Sequence, residues 1–342
     1  EKLANTGFSG LVVVAKGNSI VLQTALGLAN REENLPYRLN TSFNIGSVTK
    51  QFTASAILKL QESGKLSTND LISKYFDKLP KDKQQITIHH LLTHTAGFVA
   101  TRGEGSANLY NVVTRKELIN FALASELISV PGLQYHYSNV GYNLLAIIIE
   151  KVSGQSYESY FQSQLFKPAG MNNTGYRLVK RDYNNVAVNY GADASYWGKL
   201  FSIKPKRKSV GNPFEHLDKE AGPRLNMEGA GGLTSTMQDL IKWHIALNSE
   251  TILNKDSKEL LFRTHNNPIA SDQKHHYGYG WLIFKGENGF IHAQHNGSNG
   301  YSFTDYHRFL QGGIAIIIST NDIDVYPEEL MKELIEITKN TL

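Results

Sequence analysis

The sequence contains no cysteine. Disulfide bonds, thiolate nucleophiles and thiolate metal ligands are therefore excluded. Long apolar runs are also absent, because none reaches the roughly 18 to 20 residues that cross a bilayer as a helix. Internal repeats and low-complexity tracts are missing as well. These absences indicate an ordinary globular protein without a transmembrane segment, and the lack of cysteine fits either the cytosol or a bacterial envelope.

The charge balance gives no sign of a polyanionic partner. The 342 residues include 35 Lys and Arg against 31 Asp and Glu, for a formal net charge of +4. The one basic cluster, KPKRK at Lys204 to Lys208, has no interleaved aromatic residues, and its surroundings predict a solvated loop. Nucleic acid is therefore not an expected partner.

Strand patterns occupy the two ends of the chain. Two β-branched runs, Leu11 to Ala15 and Ile20 to Leu26, are separated by Gly17-Asn18, a dipeptide typical of hairpin turns. Further strands are predicted after about Gly278, in the segments YGWLIF, FIHAQHNG, YSFTDYHRF and GIAIIIST. The simplest assembly pairs the first hairpin with these C-terminal strands.

Helical patterns fill the middle of the chain. Apolar residues recur every three or four positions from Ser47 to Ser63, and Gly64 supplies a stop. A second helix is predicted near Ser235, with Gln238 in capping-box spacing. A hydrophobic content of 41% lets a chain of this length bury a large core.

The last helix is predicted to begin at Pro327, with Leu330, Leu334 and Ile337 on one face. Sheet at both ends then encloses a helical middle, which predicts an α+β fold in a single domain. We expect an α/β subdomain from about 1–45 and 245–342, a helical subdomain at about 46–244, and a site at their junction.

The segment FNIGSVTKQF places Ser47 and Lys50 three positions apart at the predicted start of a helix. Such positions share one helix face, and a lysine of lowered pKa can serve as the base that a serine nucleophile needs. The helix N-terminus would also favour developing negative charge on a substrate. However, serine is a preferred helix cap, so spacing alone leaves both interpretations of Ser47 open.

Two further stretches favour the nucleophile. PGLQYHYSNVGYN contains Tyr137 and Asn139 just before an apolar helix, and HAQHNGSNGY contains His295 and Gly297 at the end of a predicted strand. A tyrosine near a lysine can exchange the serine proton, an asparagine can hold a substrate amide, and a glycine at a strand edge lets substrate approach.

Each of these patterns also occurs elsewhere in the chain. Ser-x-x-Lys recurs at Ser271 to Lys274, Tyr-x-Asn at Tyr183 to Asn185, and His-x-Gly at His276 to Gly278. The set formed by Ser47, Tyr137 and His295 differs from these second occurrences in its order along the chain. Its three parts lie at a helix start, in a loop of the helical region and on a C-terminal strand.

The whole set of motifs resembles the serine β-lactamase and penicillin-binding protein superfamily. The matching segments run along nearly the whole chain, as SGLVVVAKG, NIGSVTKQFTA, LLTHTAG, PGLQYHYSNVGYNLLAIIIEKVSG, GAGGLTSTMQDLIKW, YGYGW and HNGSNGY. The branch is the one that contains class C β-lactamases, D-alanyl-D-alanine carboxypeptidases, D-aminopeptidases and related carboxylesterases. The resemblance implies a β-lactamase/transpeptidase-like fold, an antiparallel sheet flanked by helices, with a mostly helical subdomain.

The resemblance also implies roles for the site residues. Ser47 would be acylated, while Lys50 and Tyr137 share the general-base and general-acid work. Asn139 would position the acyl-side amide of the substrate. The backbone N–H groups of Ser47 and Ser298 would form the oxyanion hole, beside a strand that binds substrate at its edge through His295 and Gly297. GAGG at Gly229 to Gly232 would shape the floor near Ser47, or simply pack the backbone before the next helix.

The third motif departs from the Lys-Thr-Gly of true β-lactamases, since it reads His295-Asn296-Gly297 and no Lys-x-Gly triplet occurs. An imidazole only partly charged near neutral pH would replace a permanent cation. We therefore predict a serine hydrolase of D-amino-acid peptides, amides or carboxylic esters. A class C-like β-lactamase is an alternative, and a penicillin-binding sensor that stays acylated is an alternative of another class.

Other kinds of site are less well supported. His90 and His94 lie four residues apart, but Leu91 stands where a zincin has glutamate, so no metal is expected. Gly-x-Ser-x-Gly is absent, which argues against an α/β-hydrolase, and no cofactor is expected. Specificity is predicted to reside in the loops at Val99 to Asn111 and Tyr190 to Pro213. We expect a bacterial periplasmic or envelope location after signal removal, with the cytoplasm as the alternative; the oligomeric state is left open.

Overall fold

The computed structural model describes the chain at residue 3 and over residues 6–102, 113–176, 185–191, 207–212, 227–265, 275–286 and 289–342. Strands occur at both ends of this part of the chain, with a few short ones between. They are β1 (Gly10–Lys16), β2 (Ser19–Leu26), β3 (Leu28–Asn30), β4 (Leu35–Pro36), β5 (Ser42–Asn44), β6 (Tyr190–Gly191), β7 (Lys208–Ser209), β8 (Thr234–Thr236), β9 (His275–Tyr277), β10 (Leu282–Lys285), β11 (Ile291–Ser298), β12 (Phe303–Phe309) and β13 (Ile314–Thr320).

Seven strands form one antiparallel sheet in the order β2-β1-β13-β12-β11-β10-β9. The predicted hairpin is confirmed as β1 and β2, and β1 pairs along its length with β13, from Gly10 opposite Thr320 to Lys16 opposite Ile314. The N-terminal hairpin therefore joins the C-terminal strands, as the sequence predicted.

Both faces of the sheet are buried at its centre, because neighbouring side chains of a strand point to opposite faces. Leu11 and Ile317 belong to the large core shared with the helices, whereas Val12, Ile316 and Ile318 belong to a smaller core on the other face. This arrangement explains why β1 and β13 are apolar at nearly every position.

The helices are α1 (Thr49–Glu62), α2 (Ile88–Leu92), α3 (Arg115–Ala124), α4 (Asn139–Ser153), α5 (Tyr157–Phe161), α6 (Met237–Asn248), α7 (Lys255–Phe262) and α8 (Glu328–Thr341). Helix α1 is the central one, since every residue from Thr49 to Leu58 is buried. It ends as predicted, with Gly64 at a φ of +67°. The described chain is thus α+β, with α8 against the smaller core and α1 against the larger.

Three expectations need correction. Helix α6 is capped by Thr236, whose side chain accepts from the Asp239 backbone N–H, rather than by Ser235 with Gln238. Pro327 occupies the cap position of α8 and not its first turn. Ile337 is 55% exposed, whereas Leu330 and Leu334 pack against the smaller core beside the buried Met331.

The predicted subdomain boundary near residue 245 falls inside α6 (Met237–Asn248), so a continuous helix spans it. The division into two subdomains stays a prediction. Within the described ranges, no helix is both long and apolar enough to cross a membrane.

The basic cluster is only partly described. Lys204 to Lys206 lie outside the described residues, while Arg207 binds Asp322 and Asp324 through its guanidinium, and Lys208 lies in β7. Arg207 therefore binds this segment to the residues that follow β13. The sequence had predicted a solvated loop for the segment.

Candidate active site

Ser47 lies in a 3-10 turn, Gly46–Val48, that leads directly into α1. The cap positions of this turn and of α1 are Ile45 and Val48, and neither has a side-chain cap hydrogen bond. Ser47 therefore caps neither the turn nor α1. Its Oγ instead accepts from the Tyr137 hydroxyl at 2.7 Å and lies 3.2 Å from Nζ of Lys50. The cap interpretation of Ser47 is therefore wrong, and its hydroxyl is held by two titratable side chains.

Lys50 is buried one turn along α1, with none of its surface exposed. Its Nζ lies 2.7 Å from Oδ1 of Asn139 and 2.6 Å from the carbonyl oxygen of Ala230. Burial lowers the pKa of Lys50 well below its ordinary value. Desolvation without a carboxylate partner favours the neutral amine.

The neutral amine matches its three neighbours in hydrogen bonding. It has two N–H donors and one lone pair, and the oxygens of Asn139 and Ala230 can only accept. Both N–H groups are used on them, so the lone pair is left for the third neighbour, the Ser47 hydroxyl. The hydroxyl can then donate to Lys50 while it accepts from Tyr137.

Tyr137 packs in a cluster of aromatic rings. The ring centroid of His94 lies 4.4 Å away, and His94 also contacts Tyr142 and Tyr277 at 5.0 and 4.6 Å. Burial raises the pKa of Tyr137 above its ordinary value, so the phenol keeps its proton at neutral pH. The hydrogen bond to Ser47 is consequently donated by Tyr137.

The start of α4 fixes both Tyr137 and Asn139. Ser138 caps this helix by accepting from the Gly141 backbone N–H, and its own hydroxyl donates to the carbonyl of Val99. The Ser138 N–H donates to Nδ1 of His94 at 3.0 Å. The Ser138 cap is a local feature of the sequence, and it fixes the backbone from which Tyr137 and Asn139 reach Ser47 and Lys50.

Strand β11 carries the third predicted element. Its first half pairs with β10 up to Gln294, opposite Leu282, whereas its end from His295 to Ser298 extends past β10. Gly297 is packed directly against the Ser47 turn: a Cβ there would lie 2.0 Å from the Ile45 carbonyl oxygen and 2.6 Å from the Ser47 nitrogen. Only glycine allows this approach.

Gly46 makes the reciprocal contact. A Cβ at Gly46 would lie 2.4 Å from the backbone nitrogen of Ser298, and its φ of +51° also favours glycine. The two glycines thus let the nitrogens of Ser47 and Ser298 approach the same small region. Two backbone N–H groups near one another are the kind of donors that an oxyanion hole uses.

His295 is buried and already bonded at both ring nitrogens. Its Nε2 lies 2.9 Å from the Tyr277 hydroxyl, and its Nδ1 lies 2.6 Å from the Asn296 carbonyl, to which it must donate. Burial is the main cause that lowers the pKa of His295 to about 3. The expected partly charged imidazole is therefore replaced by a neutral one.

The GAGG segment reaches the site through its backbone. The Ala230 carbonyl accepts from Lys50, and the Gly229 carbonyl accepts from Oγ1 of Thr53 on the same helix. Asn44 joins this segment to the Ser47 turn, since its Oδ1 accepts from the Gly46 N–H and its Nδ2 donates to the carbonyls of Gly231 and Leu233. The segment therefore both packs the backbone and binds the lysine.

Sequence reasoning missed His94, Tyr277, Asn44 and the Ala230 carbonyl. His94 could have been found from the LLTHTAG segment, which matches the family. Tyr277 lies inside His276 to Gly278, the second occurrence of the His-x-Gly pattern. The competing patterns at Tyr183-Asn184 and Ser271 to Lys274 lie outside the described residues, as do 103–111, 192–206 and Pro213 of the predicted specificity loops.

The histidines of the metal hypothesis are used in other ways. Nδ1 of His90 lies 3.3 Å from the Thr87 N–H in the capping box of α2, and Nδ1 of His94 accepts from Ser138. Within the described part of the chain, no three His, Asp or Glu side chains are grouped so as to hold a metal ion.

Comparisons with known proteins agree with this fold. Penicillin-binding protein 4* of Bacillus subtilis (strain 168) is 31% identical over 308 residues, which are 86% of this chain and 64% of that protein. The octameric penicillin-binding protein homologue from Pyrococcus abyssi has a TM-score of 0.79 at 30% identity, covering 95% of this chain and 72% of that one. A penicillin-binding protein from Bacillus halodurans has a TM-score of 0.79 at 25% identity, covering 97% and 98%.

The chain thus spans less than two thirds of the length of the first of these relatives. The predicted fold is confirmed: an antiparallel sheet flanked by helices, of the β-lactamase and penicillin-binding protein type. The family model described as Beta-lactamase matches residues 1–330, and the protein therefore belongs to that family.

Proposed function

We propose that the protein is a serine hydrolase that forms an acyl-enzyme on Ser47. The observation that carries this proposal is the position of the Ser47 hydroxyl, 2.7 Å from the Tyr137 hydroxyl and 3.2 Å from Nζ of a buried Lys50. A serine with a base and an acid in direct contact can be deprotonated as it attacks a carbonyl carbon.

In the acylation step, Lys50 takes the Ser47 proton through its lone pair while Oγ bonds to the substrate carbonyl carbon. The carbonyl oxygen becomes an oxyanion, which accepts from the N–H groups of Ser47 and Ser298. The bond to the leaving group then breaks, and Tyr137 supplies the proton that the leaving oxygen or nitrogen needs. Tyr137 regains a proton from Lys50, which returns the amine to its neutral state.

In the deacylation step, a water molecule replaces the leaving group. Lys50 and Tyr137 take one proton from the water as its oxygen bonds to the acyl carbon, and the Ser47 oxygen leaves and recovers a proton. The same two side chains thus serve both steps.

We infer that the substrates are esters, or amides of D-amino acids, whose acyl part needs no carboxylate for binding. This inference rests on His295, which is neutral and bonded to Tyr277 and Asn296, and so offers no cation to a substrate carboxylate. The open end of β11 offers backbone groups to an extended substrate instead.

The test uses penicillin as a covalent probe, because the relative from Bacillus subtilis is named a penicillin-binding protein. Intact mass and drug concentration are followed with time for the wild type, Ser47→Ala and Ser55→Ala, a buried serine on the same helix. Small esters and D-alanine amide are then assayed with the same three proteins.

We expect a penicillin adduct on Ser47 and turnover of an ester or amide, both lost in Ser47→Ala and kept in Ser55→Ala. Rapid drug consumption without an adduct would make the protein a β-lactamase. A lasting adduct with no turnover of any ester or amide would make it a sensor. Turnover that survives in Ser47→Ala would refute the nucleophile.

A further inference from the structure

A cavity of about 550 Å³ lies at the end of the sheet away from Ser47. It is formed where α6 ends, along α7, and at the adjoining ends of β10, β11 and β12. Ile291, the first residue of β11, lines it, whereas Ser298 at the other end of that strand meets the Ser47 turn. The two residues are the first and last of an eight-residue strand, which places them about 23 Å apart.

The cavity is strongly cationic. Its described lining includes five cations and one carboxylate, namely Lys255, Lys258, Arg263, Lys285, Arg308 and Glu259. No carboxylate among the described residues forms an ion pair with any of these five cations. Charges of one sign gathered in a concave site raise the local concentration of the opposite ion.

Arg308 is the unusual member, because it is only 3% exposed. Its two terminal nitrogens donate to Nδ1 and the carbonyl of His244 and to Oδ1 of Asn248, all neutral acceptors. Its Nε is buried and has no well-aligned hydrogen-bond partner within the described chain, although the neutral Tyr306 hydroxyl also interacts with the guanidinium. Burying a cation without a counter-charge is costly, and an anion in the cavity would reduce that cost.

His244 accepts a hydrogen bond from Arg308 and supplies no negative charge. Burial, with Arg308 as the second cause, lowers the pKa of His244 to about 3, so the ring stays neutral. The remaining lining combines two polar residues, Asn248 and Thr264, with four apolar ones, Leu247, Phe262, Ile291 and Leu310. The cavity volume lies within the range of small-molecule sites in general.

We propose that this cavity is a second binding site, for a small organic anion whose phosphate or carboxylate group faces Arg308 and whose apolar part packs against the hydrophobic lining. It does not depend on the reaction at Ser47. Guanidinium groups suit phosphate and carboxylate oxygens, and the surrounding lysines add attraction that salt would weaken.

The test titrates hexyl phosphate, hexanoate and inorganic phosphate into the protein by calorimetry at low salt, together with thermal unfolding. Lys258→Gln/Lys285→Gln is the main variant, because Lys285 is exposed and Lys258 is half-buried with its Nζ bonded to the Ser249 carbonyl, so their loss should leave the fold intact. Lys332→Gln/Lys339→Gln, on the exposed face of α8, is the matched control for charge. Arg308→Gln and Ser47→Ala complete the set.

We expect an organic anion to bind and raise the melting temperature, with affinity reduced at least about tenfold in the main variant and unchanged in the α8 control and in Ser47→Ala. Arg308→Gln, if it folds, should lose binding. Equally tight binding of inorganic phosphate, with the same sensitivity to the main variant, would assign the site to free phosphate. The proposal fails if nothing binds up to about 10 mM, if the main variant binds like the wild type, or if Ser47→Ala abolishes binding.

Discussion

The Tyr137 hydroxyl donates a 2.7 Å hydrogen bond to Oγ of Ser47, which brings a residue from the start of α4 to the turn before α1. The donor keeps its proton because burial raises its pKa. The site therefore holds a protonated phenol and a neutral amine on either side of one hydroxyl. The proposed reaction uses that difference, and it can be tested one residue at a time.

Tyr137→Phe removes the phenol and retains the ring that packs on His94. Turnover of an ester substrate is expected to fall by about 100-fold to 10,000-fold, the usual contribution of a general acid or base. Steady-state kinetics measure the loss. Tyr183→Phe, in the other Tyr-x-Asn pattern, is the control, and equal losses in the two variants would mean that the wrong tyrosine was chosen.

Lys50 should make acylation depend on pH. Its pKa is lowered by burial, and the neutral form is the active one, so kcat/KM is expected to rise with pH through a value well below that of an ordinary lysine. Lys50→Arg should abolish acylation at every pH, because a guanidinium keeps its proton.

The control for that variant is Lys59→Arg on the same helix, where Lys59 forms an ion pair with Glu62. It should retain activity. Rapid-quench measurement of acylation from pH 5 to pH 10 gives the profile. A rate that falls as pH rises through this range would require the protonated lysine and contradict the mechanism.

Gly46→Ala tests the approach of the two backbone nitrogens. The new Cβ would meet the Ser298 nitrogen at 2.4 Å, so the turn and β11 must separate. We expect kcat/KM to fall at least about 100-fold, as when one oxyanion donor is lost. The protein should also be less stable in urea.

Gly64→Ala is the matched control for Gly46→Ala. Gly64 has a similar positive φ of +67° but nothing within 4 Å of its Cβ position. It should cost only about 1 kcal/mol for the left-handed backbone and leave kcat/KM unchanged. If both alanine variants behaved alike, backbone strain and not the contact with β11 would explain the Gly46 result.

Buried histidines should destabilise the protein in acid. Burial is the first cause that lowers the pKa of His244, His292 and His295, each to about 3. Between about pH 6.5 and pH 3 the unfolded chain binds protons that the folded protein does not, so the free energy of unfolding decreases as pH falls.

Urea unfolding at pH 7, 6 and 5 measures this slope. His292→Gln removes one such group, and its stability should depend less steeply on pH than that of the wild type, by up to about 1.4 kcal/mol per pH unit. His136→Gln, which changes a histidine that is not buried, should keep the wild-type slope. An identical slope in the His292 variant would argue against the linkage.

Patterns that depend on neighbouring residues were predictable. The hairpin at Gly17-Asn18 and the end of α1 at Gly64 follow from turn chemistry and periodicity. The cap of α6 was misplaced by one residue, because Ser235 and Thr236 both carry hydroxyls and only the backbone angles distinguish them.

Features that depend on long-range packing could not be predicted in this way. Whether Ser47 is a cap or a bound hydroxyl depends on Tyr137, which lies two residues before α4. Burial of His295 determines its charge, and burial is a property of the assembled core. The role of the Ala230 carbonyl cannot be predicted from any residue pattern, because every residue has a backbone carbonyl.

The pairing of β1 with β13 and the contact of Gly46 with Ser298 have a consequence for biosynthesis. A ribosome that has made the helix bearing Ser47 has not yet made β11, so the emerging chain cannot assemble the proposed oxyanion pair. The hairpin of β1 and β2 likewise needs β13 before the second edge of β1 is covered. Contacts so distant in sequence slow folding, and the nascent chain should remain catalytically silent until β11 has been synthesised and can fold.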